Sequence, residues 1–335
     1  MRLSTDWLDQ ILTKPADESW KDIFSHLNAL ASAQESEIKT RYRSLETEVA
    51  HIDHMLSSSA WDLWQQFSCA PKGSAFVKEF WSSTVGPKAV LILDSLSIRE
   101  VGPICESLKK LGLSTNVHFA GSEAPSETEI YANALGVNGR FELAKKPVPA
   151  KFFVPNSDAY IDTFKNIPFD ESVKKLPSDK NLFVWHGWPD DSLHVFGKFD
   201  DAFNRFIDHV NEQVGSDGFK TLVSFLARGR ELLITSDHGY CDTSGFQMAQ
   251  NDEHKELKTL GHTRARSIKE DERIAGRTIP PATLEMYSTS SDELYRIAVG
   301  RRRPSDKGFP ALAHGGLSLM ECTVPLIRVT GSVHG

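Results

Sequence analysis

The chain has 335 residues, 40% hydrophobic and 25% charged, enough for a sizeable core in one large domain or one domain with an appendage. A formal net charge of -7 gives no global electrostatic footprint for nucleic acid, so a dedicated chromatin-type binder is excluded and only a local basic patch could serve. Cys69, Cys105, Cys241 and Cys322 lie far apart with no C-x-x-C pair, which excludes a zinc knuckle or a dense disulfide framework and leaves reduced thiols as the expectation.

The first residues, Met1 to Trp7, lack the basic-then-apolar layout of a secretory signal, and no segment offers about 18 uninterrupted apolar residues. The expectation is a cytoplasmic protein with no membrane partner. Residues 1–80 show helical spacing, with Ile38, Tyr42, Leu45, Val49, Ile52 and Leu56 on one face, and read as a helical N-terminal region. Its tryptophans, Trp7, Trp20, Trp61 and Trp64, are expected to pack a core rather than bind a base.

Residues 81–335 read as a second unit. From residue 88 short apolar runs alternate with amphipathic stretches, the habit of an α/β protein whose mostly parallel central sheet is flanked by helices. The predicted strands are Ala89 to Leu93, Asn116 to Ala120, Lys151 to Val154, Asn181 to Trp185, Leu232 to Thr235 and Val324 to Val329. Helices are predicted over Arg99 to Leu111, Glu127 to Leu135 and Phe199 to Val214. The polar stretch Met248 to Arg277, with Arg264, Arg266, Arg273 and Arg277, interrupts this rhythm and is either a solvated insertion or a lid over a site. Arg301, Arg302 and Arg303 pose the same choice, and beside a metal site they would suit a phosphate-bearing substrate.

Two predicted strands end in acid. Ala89 to Leu93 runs into Asp94, and Leu232 to Thr235 into Ser236-Asp237-His238-Gly239, at the carboxyl edge where parallel sheets bind ligands. Asp94 alone could be a helix cap; the adjacent Asp237 and His238 are two metal-competent side chains on a sharply turning loop. After Trp185, Asp190 and His194 are spaced D-x-x-x-H and share a face if the segment is helical. His314, beside Gly315 and Gly316, precedes the last strand. Oxygen and imidazole donors without thiolates suit zinc, with manganese or iron as alternatives, and the six residues suffice for two three-ligand sites. A hydroxyl nucleophile is sought in Ala124-Pro125-Ser126-Glu127-Thr128-Glu129, where Ser126 could cap a helix through Glu129 while Thr128 attacks.

Taken in order, these segments resemble the PglZ domain, a branch of the alkaline phosphatase superfamily whose metal site is like that of nucleotide pyrophosphatase/phosphodiesterases. The resemblance covers roughly residues 85–330. It implies an alkaline-phosphatase-like core and two divalent metals, with Asp94, Thr128, Asp237 and His238 on one metal and Asp190, His194 and His314 on the other. It implies Thr128 as nucleophile and a phosphodiesterase acting on nucleotide or oligonucleotide esters, with anti-phage defence proteins as partners. A defence-complex component with a structural metal site and a phosphomonoesterase are the alternatives. One departure stands out: three residues after Asp94, where the family often has arginine, this chain has Ser97.

Overall fold

The computed structural model describes residues 5–32, 37–199, 201–274, 279–305 and 308–331. Helices lead the chain: α1 (Thr5–Thr13), α2 (Ala16–Ala31), α3 (Ile38–Ser58), α4 (Trp61–Gln65) and α5 (Gly73–Ser83). The expected α/β alternation follows as β1 (Lys88–Leu93), α6 (Val101–Lys110), β2 (Ser114–Gly121), α7 (Thr128–Leu135), β3 (Tyr160–Phe164), α8 (Phe169–Val173) and β4 (Leu182–His186). Next come α9 (Asp190–Phe196), α10 (Ala202–Gly215), α11 (Asp217–Ala227) and β5 (Glu231–Thr235). The C-terminal third holds β6 (Cys241–Asp242), β7 (Gln247–Met248), α12 (Asn251–Lys258), β8 (Ala265–Ser267), β9 (Thr283–Tyr287), β10 (Leu294–Ala298), β11 (Arg302–Arg303), β12 (Leu312–Ala313), α13 (Leu319–Cys322) and β13 (Thr323–Thr330).

The central sheet has the order β2-β13-β5-β1-β4-β3. Strands β3, β4, β1 and β5 run parallel, and β13 lies antiparallel to both β5 and β2. Strand β1 is apolar along its length because both of its faces are covered. Its Ala89, Leu91 and Leu93 join one buried cluster, and Val90 and Ile92 the other. Residues of α2, α3, α6, α10 and α11 contribute to the first cluster, and Val77, Phe80 and Trp81 of α5 with Tyr131, Ala132 and Leu135 of α7 to the second. The predicted face of α3, including Leu45, Val49, Ile52 and Leu56, is buried within the first cluster beside Leu91. Among the described residues no helix is long and apolar enough to cross a membrane.

One expected strand fails. Lys151 to Val154 is a set of turns, and the edge strand is β3, which pairs with β4 from Tyr160↔Leu182 to Phe164↔His186. Pro149 and Pro155 bracket that run, and a proline cannot donate to a ladder. Its apolar character still has a use, since Phe152 and Phe153 meet Phe183 edge-on at 5.2 and 5.7 Å. Within the described part of the polar stretch, 248–274, Ala249, Leu257 and Leu260 form a small core with Ala282 and Ala298, and β8 pairs with β10. Arg277 lies outside the described residues.

Of the predicted core tryptophans, Trp20 and Trp64 are fully buried, with ring centroids 4.8 Å apart, and Trp20 Nε1 donates to the Leu63 carbonyl at 3.3 Å. Trp7 and Trp61 pack on the same core from its edge. Trp20→Ala should therefore cost about 3–5 kcal/mol, the usual loss for deleting a fully buried large aromatic. Guanidinium denaturation checks this; an unchanged midpoint would mean that the leading helices unfold independently of the sheet.

Candidate active site

The register of the sheet levels the ends of its three central strands. Leu93 of β1 sits opposite His186 of β4, and the preceding Ile92 opposite Thr235 of β5. The residues that leave these strands therefore emerge together. Asp94 follows β1 directly, and Asp237 and His238 follow β5. Helix α9 begins at Asp190 after β4, with the Asp190 N–H donating to the Asp94 carbonyl at 3.1 Å, so Asp190 and His194 lie one turn apart as the spacing suggests. Ser95 adopts φ 65°, a left-handed conformation uncommon for a non-glycine residue. That turn aims the Ser95 N–H at Asp237 Oδ1 (2.9 Å) and the Leu96 N–H at Ser236 Oγ (2.8 Å), tying the two acidic loops together. Gly239 completes the second loop, where a Cβ would lie 2.2 Å from the Met320 carbonyl oxygen.

All seven residues expected from the sequence meet at this edge. Asp94, Asp237 and His238 offer ligand atoms within 4.8 Å of one another, as do Asp190, His194 and His314. Thr128, the first residue of α7, directs Oγ1 into the first group, 2.9 Å from Asp237 Oδ2 and 3.3 Å from both Asp94 Oδ1 and His238 Nε2. In the second group Asp190 Oδ2 lies 3.3 Å from His194 Nε2, and Asp190 Oδ1 3.7 Å from His314 Nε2. The His238 and His314 rings stack at 4.3 Å and join the groups. The two differ in access: Asp94 and Asp237 are 1% exposed and His238 0%, whereas the His194 side chain is 62% exposed.

Burial and the neighbouring Asp237 and Asp190 charges push the Asp94 carboxyl well above the usual range, against the pull of Arg140. Burial works on Asp190 in the same direction, yet the hydrogen bond from His194 and the charge of His314 hold it low. The bond to Asp190 raises His194, and burial with His238 nearby pushes His314 down to about 4.

Arg140 is the participant that sequence reasoning missed. It sits in a short 3₁₀ turn (Arg140–Ala144), pairs with Asp94 Oδ2, and has Nη2 3.9 Å from Asp191 Oδ1. No local signal marks it, because it lies 46 residues from the aspartate it meets. Five of the arginines that the sequence offered for substrate are paired with acidic side chains outside this group of residues. Arg264 pairs with Glu321, Arg266 with Glu272, Arg273 with Glu270, Arg301 with Glu46, and Arg302 with Glu253. Ser126 does not cap α7 either. The N-cap is Glu127, and the buried Ser126 hydroxyl donates to the Gly316 carbonyl and accepts from the Gly315 N–H, both at 3.0 Å.

The donor set fits divalent metal ions. It consists of carboxylate oxygens and imidazole nitrogens without thiolate. His238 Nδ1 faces the Gly239 carbonyl at 3.0 Å and His314 Nδ1 the Ser126 carbonyl at 3.3 Å, so each protonated Nδ1 leaves the Nε2 lone pair turned toward its group. Asp190 Oδ1 is buried without a hydrogen-bond partner and is free to ligate.

No protein-family model matches the chain, and no curated protein matches it. Among solved structures it is similar to murine ectonucleotide pyrophosphatase/phosphodiesterase 5, at 15% identity and TM-score 0.45, covering 73% of this chain and 88% of that one. An inactive variant of the murine protein in complex with AMP gives 14% identity and TM-score 0.44, with 73% and 88% covered. The human ectonucleotide pyrophosphatase/phosphodiesterase 5 gives 11% identity and TM-score 0.39 over the same shares.

Arg140→Ala should destabilise the chelator-treated protein, by about 3–5 kcal/mol where Asp94 is ionised, since removing one partner leaves a buried charge uncompensated. A carboxyl whose folded pKa is raised contributes its full stability only below its unfolded value of ~3.9 and loses it as pH rises through the folded pKa. Loss of Arg140 raises the Asp94 pKa further, so the stability gap between wild type and variant should widen with pH above the ordinary carboxylate range. Urea denaturation in chelator at several pH values measures that gap; a constant gap would remove the Asp94 pair as its origin.

Proposed function

We propose that the chain is a two-metal phosphoester hydrolase in which Thr128 is the nucleophile. The observation that carries this reading is the Thr128 hydroxyl held among Asp94, Asp237 and His238, at 2.9 to 3.3 Å from each, beside a second group of three donors. Asp94, Asp237, His238 and Thr128 would hold one divalent ion, and Asp190, His194 and His314 the other. Zinc suits both sets, and manganese is the alternative. When bound, the ions lower the pKa of a coordinated hydroxyl and neutralise charge on phosphoryl oxygens.

The protein's own residues do the remaining work. Asp237 Oδ2, the nearest acceptor, takes the hydrogen bond of the Thr128 hydroxyl and orients its oxygen for in-line attack. As the Thr128 Oγ1–P bond forms, the hydroxyl proton passes to solvent and the P–O bond to the leaving group breaks, the leaving oxygen taking a proton from water; a second water then adds to phosphorus, the Thr128 Oγ1–P bond breaks, and a proton of that water returns to Thr128 Oγ1. The N-terminus of α7 and the guanidinium of Arg140 place positive potential where phosphoryl charge develops. The exposed His194 makes the second group the open side of the site, which favours a reacting centre over a sealed structural ion.

With the order of motifs along the chain, this reading supports membership of the PglZ branch of the alkaline phosphatase superfamily. Phosphodiesters of nucleotides or oligonucleotides are the proposed substrates, and anti-phage defence the proposed setting.

The protein purified without chelator should carry about two divalent ions per chain by elemental analysis. Thr128→Ala should lower kcat on a model aryl phosphodiester by roughly three orders of magnitude or more, with the ion content retained, while Thr128→Ser keeps part of the activity. A chain that takes up no ion and gains no thermal stability from zinc or manganese sinks the reading. Full activity in Thr128→Ala would replace the covalent step by attack of water.

A further inference from the structure

His314 is the one donor of the second group carried by a glycine loop instead of α9. Gly315 takes φ 102°, so the backbone there is shaped for glycine and needs outside contacts to hold the imidazole in place. Those contacts are complete. On one side the Ser126 hydroxyl receives the Gly315 N–H and donates to the Gly316 carbonyl, while the Ser126 carbonyl receives His314 Nδ1–H. The Cys322 thiol also reaches the Gly316 carbonyl, at 3.2 Å. On the other side Glu321 Oε1 accepts the Gly316 N–H at 2.8 Å, and Glu321 Oε2 the Ser318 hydroxyl at 2.5 Å.

Glu321 is in turn fixed by Arg264. Arg264 Nε donates to the same Oε1 at 2.7 Å, Nη2 to the Gly300 carbonyl at 2.8 Å, and Nη1 to the Arg302 carbonyl at 3.0 Å. The guanidinium lies flush against the loop: a Cβ on Gly316 would come within 2.5 Å of Arg264 Nε. Arg264 and Glu321 are 1% and 0% exposed, and a buried ion pair roughly offsets its own desolvation cost, so net stability does not account for it. What the pair does supply is direction, since each of the three guanidinium nitrogens donates to an acceptor and one of those acceptors holds the Gly316 peptide.

We infer that Arg264 and Glu321 are positioning residues that hold His314 through the Gly316 peptide and thereby set the cation affinity of the Asp190, His194 and His314 group without touching the ion. The inference rests on the two-metal reading above. Groups that orient a ligand histidine from outside typically change metal affinity by about 10–100-fold.

Calorimetric titration of the metal-depleted full chain with zinc, with elemental analysis alongside, tests it. Wild type should bind two equivalents. Gly316→Ala, whose Cβ displaces the guanidinium while leaving both charges present, should keep one site unchanged and weaken the other by about 10–100-fold. Glu321→Gln should do the same, and His314→Ala identifies the affected site by abolishing it. Should Glu321→Gln fail to fold, Arg264→Met combined with Glu321→Leu removes both buried charges and still deletes the Gly316 contact, with the same loss expected. Two unchanged affinities in the folded variants, or equal weakening of both sites, overturns the inference and leaves the two-metal reading intact. A wild-type chain that binds no zinc overturns that reading itself.

Discussion

Three carboxylates converge at one edge of this protein, and their mutual repulsion is the constraint around which the rest is arranged. Asp94 and Asp237 are removed from water almost completely, with Asp190 close enough to push the Asp94 carboxyl upward. Left to themselves such groups would separate or take up protons. They stay together because β5, β1 and β4 are apolar on both faces, locked in parallel register, and end level. A one-residue slip of β1 would turn its alternate side chains to the wrong layer and carry Asp94 away from Asp237, so the core that stabilises the sheet also fixes the acid pair.

Buried ion networks then lock the loops that the sheet cannot hold. Glu46 of α3 accepts from Arg99 and from Arg301, and Arg99 Nη1 donates to the Tyr240 carbonyl at 2.8 Å, two residues beyond His238. Asp53, about two turns further along the same face of α3, accepts the Leu319 N–H at 2.8 Å. The leading helices thus reach the loops bearing His238 and His314 through a chain of charges as well as through apolar packing. Of the arginines that look in sequence like a phosphate-binding set, Arg264 and Arg301 serve as internal braces, Arg264 buried and Arg301 largely so, while Arg266 and Arg273 make surface pairs.

Legibility in the sequence followed the range of the interaction concerned. Strands β1, β4 and β5 could be read because burial on both faces writes a continuous apolar run, and the acids that follow them could be read because they end those runs abruptly. Lys151 to Val154 imitated that signal: aromatic residues that pack under a sheet from a turn look, in one dimension, like residues within a strand. Strand β3 escaped because Tyr160–Phe164 is a half-buried edge strand in which Asp162 and Thr163 interrupt the apolar run. Ser126 was misjudged for a related reason. A hydroxyl three residues before a glutamate satisfies the local rule for a helix cap, but its partners, Gly315 and Gly316, lie 189 and 190 residues away. Arg140 obeys no local rule at all, since only the tertiary fold brings it to Asp94.

The two donor groups are unequal, and the inequality has a structural cause. The first draws on residues directly following two central strands, where backbone hydrogen bonds and apolar packing on both faces leave little freedom. The second draws on a short helix and a glycine loop, one of whose imidazoles stands in solvent. Among the described residues the ring contact between the two groups is the His238–His314 stack, which is soft to sliding. A rigid half thus fixes the Thr128 hydroxyl, and a softer half stands open to solvent. The clamp of Ser126, Glu321 and Arg264 limits how far that softness extends, because it ties the glycine loop to the same turn that carries Thr128.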